Sequence, residues 1–424
     1  MSAKRARKPL SVCDPNVNRA AKRAKTVSSP AYDPATFCPM QYIEHAMVPR
    51  MLPDIRLAPA AIFGLFWNDE IIGKLVQATN AYAQQKKATK QQWLHPATAI
   101  ELRRFLGITI LMGITRLRRV SRYWSQGLLS AQSSLSYYRY CQIKRFIHIS
   151  MPQDTAGLSR KDWWKKLEPL SSHLRQQSQT FALPATNISI DEMMVPFTGR
   201  SFHTVRIPSK PIPVGYKVIA LCSSGYTVDW MLTSRTESFA ELEKIPELSP
   251  TSSAVLQLCR SLDTKQYSYV VYTDNGFSTI PLFRALRERG IGACGTTQAN
   301  RAEYPLALEN TSLTEWNSID GYTMGPTPNE VLCFRWMDNN IVRMLTTVHP
   351  WNEVTQSLRR KPRKTSTNAA IVRRAFGDNN RAAFFIPTAI DDYNHHMGGV
   401  DIADQRRAGN TLKTFTNSRI SLIN

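Results

Sequence analysis

The chain of 424 residues carries 54 Lys and Arg against 32 Asp and Glu, a formal net charge of +22, with 42% hydrophobic residues. That apolar content excludes wholesale disorder, and the length provides for two or three domains with a sizeable core. So basic a surface points to a polyanionic partner, nucleic acid ahead of an anionic membrane, because each neutralised phosphate releases condensed counterions.

Residues 1–45 are polar, basic and Pro-containing, and read as a disordered tail. Residues 1–25 hold eight basic residues against Asp14 alone, which is +7 of the total, so +15 remains for a folded basic surface. The clusters Lys4–Lys8 and Lys22–Lys25 have the form of a bipartite nuclear-import signal, and a non-specific DNA-binding arm fits them equally. No apolar segment marks a secretory leader, and Phe105–Thr115, the most apolar helical stretch, is too short to span a bilayer. Seven scattered cysteines (Cys13, Cys38, Cys141, Cys222, Cys259, Cys294, Cys333) with no Cys-x-x-Cys pair argue against disulfides and against a zinc site, and for a reducing compartment.

Residues 46–170 read as mainly helical. Asn68 is placed to cap a helix bearing Ile71, Ile72, Leu75 and Val76, and a second helix is predicted near Ala97–Gly113. Arg116, Arg118, Arg119 and Arg122 follow beside Tyr123 and Trp124. A DNA-contacting turn and a solvated basic face both suit them. From about residue 185 the period changes to that of strands. Strands are predicted at Asn187–Phe197, Lys217–Cys222, Thr227–Thr233, Tyr267–Tyr272 and Ile291–Thr296. Helices are predicted at Ser252–Leu262 and at Ser278–Gly290, the latter closed by Gly290. A meander followed by alternating strands and helices implies an α/β fold, a mixed sheet with helices on its faces. Val331–Trp336 and Ile341–Val348 suggest a hairpin turning at Met337–Asn340. Arg359, Arg360, Lys361, Arg363 and Lys364 then form a dense basic loop.

Three aspartates stand out. Asp191 lies inside the first predicted strand, where a carboxylate is costly unless compensated. Asp274 follows directly on a buried strand, at the carboxyl end where open α/β sheets place their sites. Asp401 and Asp404, three apart, share a face if their segment is helical. Converging carboxylates repel unless cations intervene, and hard oxygen ligands suit Mg²⁺ or Mn²⁺ rather than Zn²⁺. Two such ions, about 3.5–4 Å apart, serve phosphodiester displacement. Taken singly, each Asp also reads as a turn former or helix cap.

The surrounding residues carry a resemblance. Ser189-Ile190-Asp191-Glu192 through Gly199-Arg200, with Ile207-Pro208-Ser209-Lys210-Pro211 and Gly215-Tyr216-Lys217, resembles the first catalytic motif of the piggyBac transposase family. Thr273-Asp274-Asn275-Gly276-Phe277, trailed by Gly295-Thr296 and Asn300-Arg301, resembles the second. Tyr393-Asn394-His395-His396-Met397-Gly398-Gly399-Val400-Asp401 with Asp404-Gln405 resembles the third. The likeness covers about residues 55–410.

The resemblance implies a ribonuclease H-like mixed sheet (the DDE transposase core), an inserted β-containing domain and an N-terminal helical domain. It divides the chain into a tail at 1–45, a helical DNA-binding or dimerisation region at 46–170, the catalytic core at 180–300, an insertion at 301–385 and the last part of the core at 386–424. It implies catalytic roles for Asp191, Asp274 and Asp401, with Asp404 as a further metal ligand. It also implies cleavage of double-stranded DNA at terminal repeats, hairpin formation and insertion at TTAA sites; the import-signal clusters point to the nucleus, and a homodimer is one option for an assembly that the sequence does not fix.

Phosphate-facing candidates are Lys210, Lys217, Arg301 and the Arg359–Lys364 cluster; a solvated role suits Lys210 and Lys217 nearly as well. Asp338 is explained by its hairpin turn. His395 and His396, adjacent on a helix, do not share a face for a metal. Glu192 is expected to point away from Asp191. Against the family pattern the chain stops at Asn424, soon after the third motif, without a Cys/His-rich end domain or an aromatic-rich helix in Thr411–Asn424. A transposase-derived DNA-binding protein without chemistry is therefore the alternative reading, and an unrelated basic nuclease a more distant one.

Overall fold

The computed structural model describes residues 31–50, 58–115, 117–125, 135–197, 199–208, 210–235, 239–310, 313–366 and 368–409. The import-signal clusters, Arg116 and Thr411–Asn424 lie outside the described residues. Two short strands come first, β1 (Ala31–Tyr32) and β2 (Val48–Pro49). Six helices follow: α1 (Pro59–Phe66), α2 (Asp69–Gln85), α3 (Ala99–Thr115), α4 (Arg122–Ser125), α5 (Tyr137–Phe146) and α6 (Leu170–Phe181). The predicted cap is present: Asn68 Oδ1 accepts from Ile71 N at 3.0 Å. It satisfies one of the amides that a helix start leaves unpaired. Ile71, Ile72, Leu102, Phe105, Tyr140 and Ile143 bury together as the core of this helical region.

Tyr123, beside the exposed Arg118, Arg119 and Arg122, is fully buried, and its hydroxyl donates to Met112 O. Trp124 Nε1 donates to Leu135 O. Tyr123 therefore belongs to the helical core, and Trp124 packs against it. Arg118, Arg119 and Arg122 are exposed.

The sheet begins with β3 (Ala182–Leu183), which pairs with β2. β4 (Asn187–Pro196), β6 (Val214–Ser223) and β7 (Tyr226–Leu232) form an antiparallel meander, with β5 (Val205–Arg206) on β6. α7 (Pro250–Leu258) leads to β8 (Tyr269–Thr273), and α8 (Ile280–Arg287) leads to β9 (Ile291–Thr296). β8 pairs parallel to β4, and β9 parallel to β8. All five residues of β8 are buried, as a parallel strand covered on both faces requires.

After α9 (Leu306–Asn310) come β10 (Ile319–Met324), β11 (Val331–Met337) and β12 (Ile341–Thr346). The predicted hairpin exists, with Met337 opposite Ile341. β12 then pairs with β9, so the strands of the expected insertion extend the central sheet to ten, with β1 added at the far edge. β13 (Val354–Arg360) and β14 (Arg381–Pro387), joined through α10 (Ala369–Ala375), make a separate ribbon. α11 (Thr388–His396) and α12 (Gly399–Gly409) end the described residues.

Alternation sorts the side chains of the sheet between two layers. Ile188, Ile190 and Val271 face α7 and α8, where Leu256, Leu282 and Phe283 pack. On the other face Val270, Tyr272 and Cys294 meet Ala389 and Ile390 of α11. There too Met193, Val218 and Ala220 meet Val400 and Ala403 of α12.

Residues 31–45, expected within the disordered tail, are built into this body. Phe37 is buried beside Trp336 and Val348, Met40 N donates to Thr347 O, and His45 N donates to Thr186 Oγ1. Three anchors spaced along a polar segment give no periodic signal, yet each finds its place on the sheet domain. The basic loop is likewise corrected, since Arg359 and Arg360 belong to β13. Among the described residues no helix is long and apolar enough to cross a membrane.

Gly295 is tightly packed near the carboxyl ends of β8 and β9. A Cβ there would lie 2.4 Å from both Thr273 O and Ser278 Oγ. Gly295→Ala is expected to cost on the order of 3 kcal/mol, because one clash is with backbone that cannot rotate away. Denaturant unfolding checks this, and a change below about 0.5 kcal/mol would show that the strand gap yields.

Candidate active site

The parallel register between β4 and β8 ends at Ile190 opposite Thr273. Asp191 and Asp274 therefore take the next step on neighbouring strands. Both lie on the α11–α12 face: Asp191 shares parity with Met193, and Asp274 with Tyr272. Glu192 turns to the opposite face, where its carboxylate pairs with the ammonium of Lys217.

Helix α12 brings the third aspartate to the same strand. At its start Gly399 abuts β4, where a Cβ would lie 2.4 Å from Ser189 Oγ. Further along the helix, Asp404 Oδ2 accepts from Met194 N at 3.4 Å. The helix thus advances alongside β4 from Ser189 to Met194. Asp401, in its first turn, is exposed at the level of Asp191.

Burial pushes the Asp191 carboxyl up to about 6; a hydrogen bond from Glu192 N opposes this, and the charges of Asp274 and Asp401 add to it. Burial also raises Asp274, with Gly276 N opposing and Glu192 adding. Lys210, in the loop between β5 and β6, is near enough to lower both. Each carboxylate has one oxygen fixed by backbone: Oδ1 of Asp191 by Glu192 N at 2.7 Å, and Oδ1 of Asp274 by Gly276 N at 2.8 Å. Among the described residues Oδ2 of neither accepts a hydrogen bond, so each keeps an oxygen for another donor or a cation.

The structure thus gathers Asp191, Asp274, Asp401 and Lys210, with Arg301 also near enough to lower Asp274, and gives the remaining predicted residues other partners or leaves them exposed. Asp404, expected as a metal ligand, gives one oxygen to Met194 N and the other to the guanidinium of Arg407, which also reaches Met194 O. In this way it ties α12 to β4. Lys217, expected to face phosphate, is neutralised by Glu192. Arg301 donates to Asn275 O at 2.6 Å and to Gly276 O at 3.2 Å, clamping the loop behind Asp274. Arg359 pairs with Asp338 at 2.7 Å and lies 4.9 Å over the Trp336 ring. Lys361 donates to Gly377 O. Arg360, Arg363 and Lys364 are exposed. His395 and His396 do diverge: the first is exposed, and the second leans on Tyr272 with ring centroids 5.1 Å apart.

The gathered donors are carboxylate oxygens with no thiolate among them, a set that fits a hard divalent cation. Among the described residues no three His, Cys, Asp or Glu side chains are already closed around one point.

The family model described as Transposase IS4 matches residues 58–419. PiggyBac transposable element-derived protein 3 of Homo sapiens is 28% identical over 359 residues, covering 82% of this chain and 55% of that protein. PiggyBac transposable element-derived protein 2 of Homo sapiens is 25% identical over 365 residues, covering 84% and 57%. The chain spans about half the length of these curated relatives. A cryo-EM structure of a piggyBac transposase synaptic complex with hairpin DNA superposes with a TM-score of 0.66 at 20% identity, over 86% of this chain and 71% of that one. That likeness establishes the fold, a ribonuclease H-like core.

Proposed function

The chain belongs to the piggyBac-type transposase family, and we propose that it cuts and joins double-stranded DNA with the help of divalent cations at Asp191, Asp274 and Asp401. One observation carries this reading: Asp191 and Asp274 occupy the same step of neighbouring parallel strands, beneath the helix that bears Asp401. Terminal repeats as substrate, TTAA as target, Mg²⁺ or Mn²⁺ as the ions, a homodimer and a nuclear location complete the reading.

Bound there, the ions would supply Lewis acidity at the phosphodiester and a lowered pKa for the attacking hydroxyl. The protein's own part is to place and restrain. Backbone amides fix one oxygen of Asp191 and one of Asp274, so the free oxygens hold their direction. Arg301 stiffens the Asn275–Gly276 loop through its carbonyls. Lys210 supplies positive charge next to the carboxylates, where an incoming phosphate loses its own counterions. A cleavage assay on a duplex carrying the repeats that flank the chain's own locus tests the reading. Mg²⁺ or Mn²⁺ should support strand cleavage and EDTA should stop it. Binding without cleavage would favour the DNA-binding alternative.

The ribbon contributes affinity. Arg360 lies opposite Arg381 across β13 and β14, a like-charge pair that costs stability unless an anion lies over it. Arg363 and Lys364 extend the same exposed cationic tip. Replacing Arg360, Arg363 and Lys364 by Ala should weaken duplex binding uniformly across sequences. It should lower the slope of log affinity against log salt by about 2–3, roughly one for each phosphate that is no longer neutralised. An unchanged slope in a salt titration would remove the ribbon from the DNA surface.

A further inference from the structure

The parallel register between β8 and β9 ends at Thr273 opposite Gly295. Thr296 therefore stands beside Asp274 as Asp274 stands beside Asp191. Three neighbouring strands present Asp191, Asp274 and Thr296 in one row. Thr296 shares the α11–α12 face with Cys294, whose thiol donates to Ala389 O of α11. There the Tyr393 hydroxyl lies 3.4 Å from Thr296 Oγ1.

Tyr393 is held firmly. Its neighbour Asp392 accepts from His349 Nε2 at 2.9 Å. Thr346 Oγ1 accepts from Val348 N and His349 N, so its own hydrogen goes to His349 Nδ1 at 2.7 Å, which leaves Nε2 as the donor toward Asp392. This chain of bonds pins α11 to the end of β12. Burial raises the Tyr393 phenol to about 12, and Asp274 and Asp191 contribute to the rise, so it stays protonated at neutral pH near both carboxylates. On its other side Thr296 borders a cavity of about 360 Å³ lined by Asn275, Thr297, Gln298, Val342 and Arg343.

Apart from Lys210, and from Arg301, whose guanidinium is engaged by the Asn275 and Gly276 carbonyls, the groups gathered at this site accept hydrogen bonds, whereas a phosphodiester presents acceptors. We propose that Tyr393, oriented by Thr296, donates its hydroxyl hydrogen to a non-bridging oxygen of the scissile phosphate and is a catalytic residue. The inference rests on the function proposed above. A neutral phenol suits the place because it donates without carrying a counter-charge of its own, and the bond strengthens as charge builds on that oxygen.

Single-turnover cleavage of the repeat-bearing duplex, with Mg²⁺ or Mn²⁺, tests it in wild type, Tyr393→Phe, Thr296→Val and Asp274→Asn. Tyr393→Phe is expected to slow cleavage about 100-fold, as removal of one donor to a developing oxyanion does. Duplex affinity and melting temperature should stay unchanged. Thr296→Val should slow cleavage by a smaller factor, and Thr296→Ser should restore it. Sulfur is a poor acceptor, so one phosphorothioate diastereomer at the mapped scissile position should slow wild type but add nothing to Tyr393→Phe. Equal thio effects in both proteins, or wild-type cleavage by Tyr393→Phe, overturn the inference. If Asp274→Asn abolishes cleavage while Tyr393→Phe leaves it intact, the inference alone falls. A wild-type chain that cleaves nothing removes the proposed function and this inference together.

Discussion

Asp274→Asn is expected to lower metal-dependent DNA cleavage by at least about 1,000-fold while leaving fold and duplex binding intact. The separation follows from how Asp274 is held. Its Oδ1 accepts from Gly276 N, a turn interaction that an amide oxygen reproduces. Gly276 and the clamp from Arg301 therefore stay in place. What the substitution removes is negative charge at the carboxyl end of β8, the property a divalent cation needs from its ligand. Single-turnover rates with and without EDTA measure the effect. Cleavage that survives both the chelator and the substitution would show that the chemistry lies elsewhere.

The second large effect has the opposite sign on stability. Asp191→Asn should abolish cleavage yet make the metal-free protein more stable at neutral pH, by about 1–3 kcal/mol. In the folded chain the Asp191 carboxyl titrates at about 6, above the usual carboxylate range. A raised value means that the folded state holds the proton longer than the unfolded state does. The stability this group lends is therefore complete below about pH 4 and is lost as the pH rises through about 6. By pH 7.5 the carboxylate is ionised in a half-buried site beside Asp274 and Asp401, and the folded state bears that cost. The amide avoids it and keeps the bond from Glu192 N. Denaturant unfolding at pH 4.5 and pH 7.5 should show a gain confined to the higher pH. Saturating Mg²⁺ should stabilise wild type more than Asp191→Asn at pH 7.5. A variant less stable than wild type at pH 7.5 without metal would contradict the electrostatic account.

How much of the fold is legible in the sequence depends on how local each signal is. β4, β8 and β9 announce themselves through their own apolar residues, and the predicted strand Ile291–Thr296 has its observed bounds. The two strand aspartates are legible because short motifs surround them. Their common face follows from alternation once the parallel register is known. The register itself is a pairing between residues about 83 apart, and no window of sequence contains it. For the same reason the join of β12 to β9 is invisible locally, and residues 319–346 read as part of a separate inserted unit.

The misplaced cations share one cause. Lys217 opens a predicted strand and Arg359 lies in a basic run, and each meets an acid brought to it by the fold: Glu192 across β4 and β6, and Asp338 beside Trp336. Alternation along β4 and β6 could have suggested the first pair. Nothing local hints at the second. Helical spacing sets Asp404 on the side of Asp401, but it cannot foretell that Arg407, three residues on, engages the carboxylate. Tyr393 and Thr296 are in view within the motifs. They gain a role only when the strand ends place them beside Asp274.

On the proposed function, three carboxylates from distant stretches of chain share a cation site. Crystals soaked in Mn²⁺ and measured for anomalous scattering address it directly. Manganese is expected at Asp191 and Asp274 on the α12 side of the sheet with Asp401 drawn in, as a pair of peaks about 3.5–4 Å apart. No manganese at these carboxylates, or manganese only at sites that Asp191→Asn and Asp274→Asn leave unchanged, would contradict it.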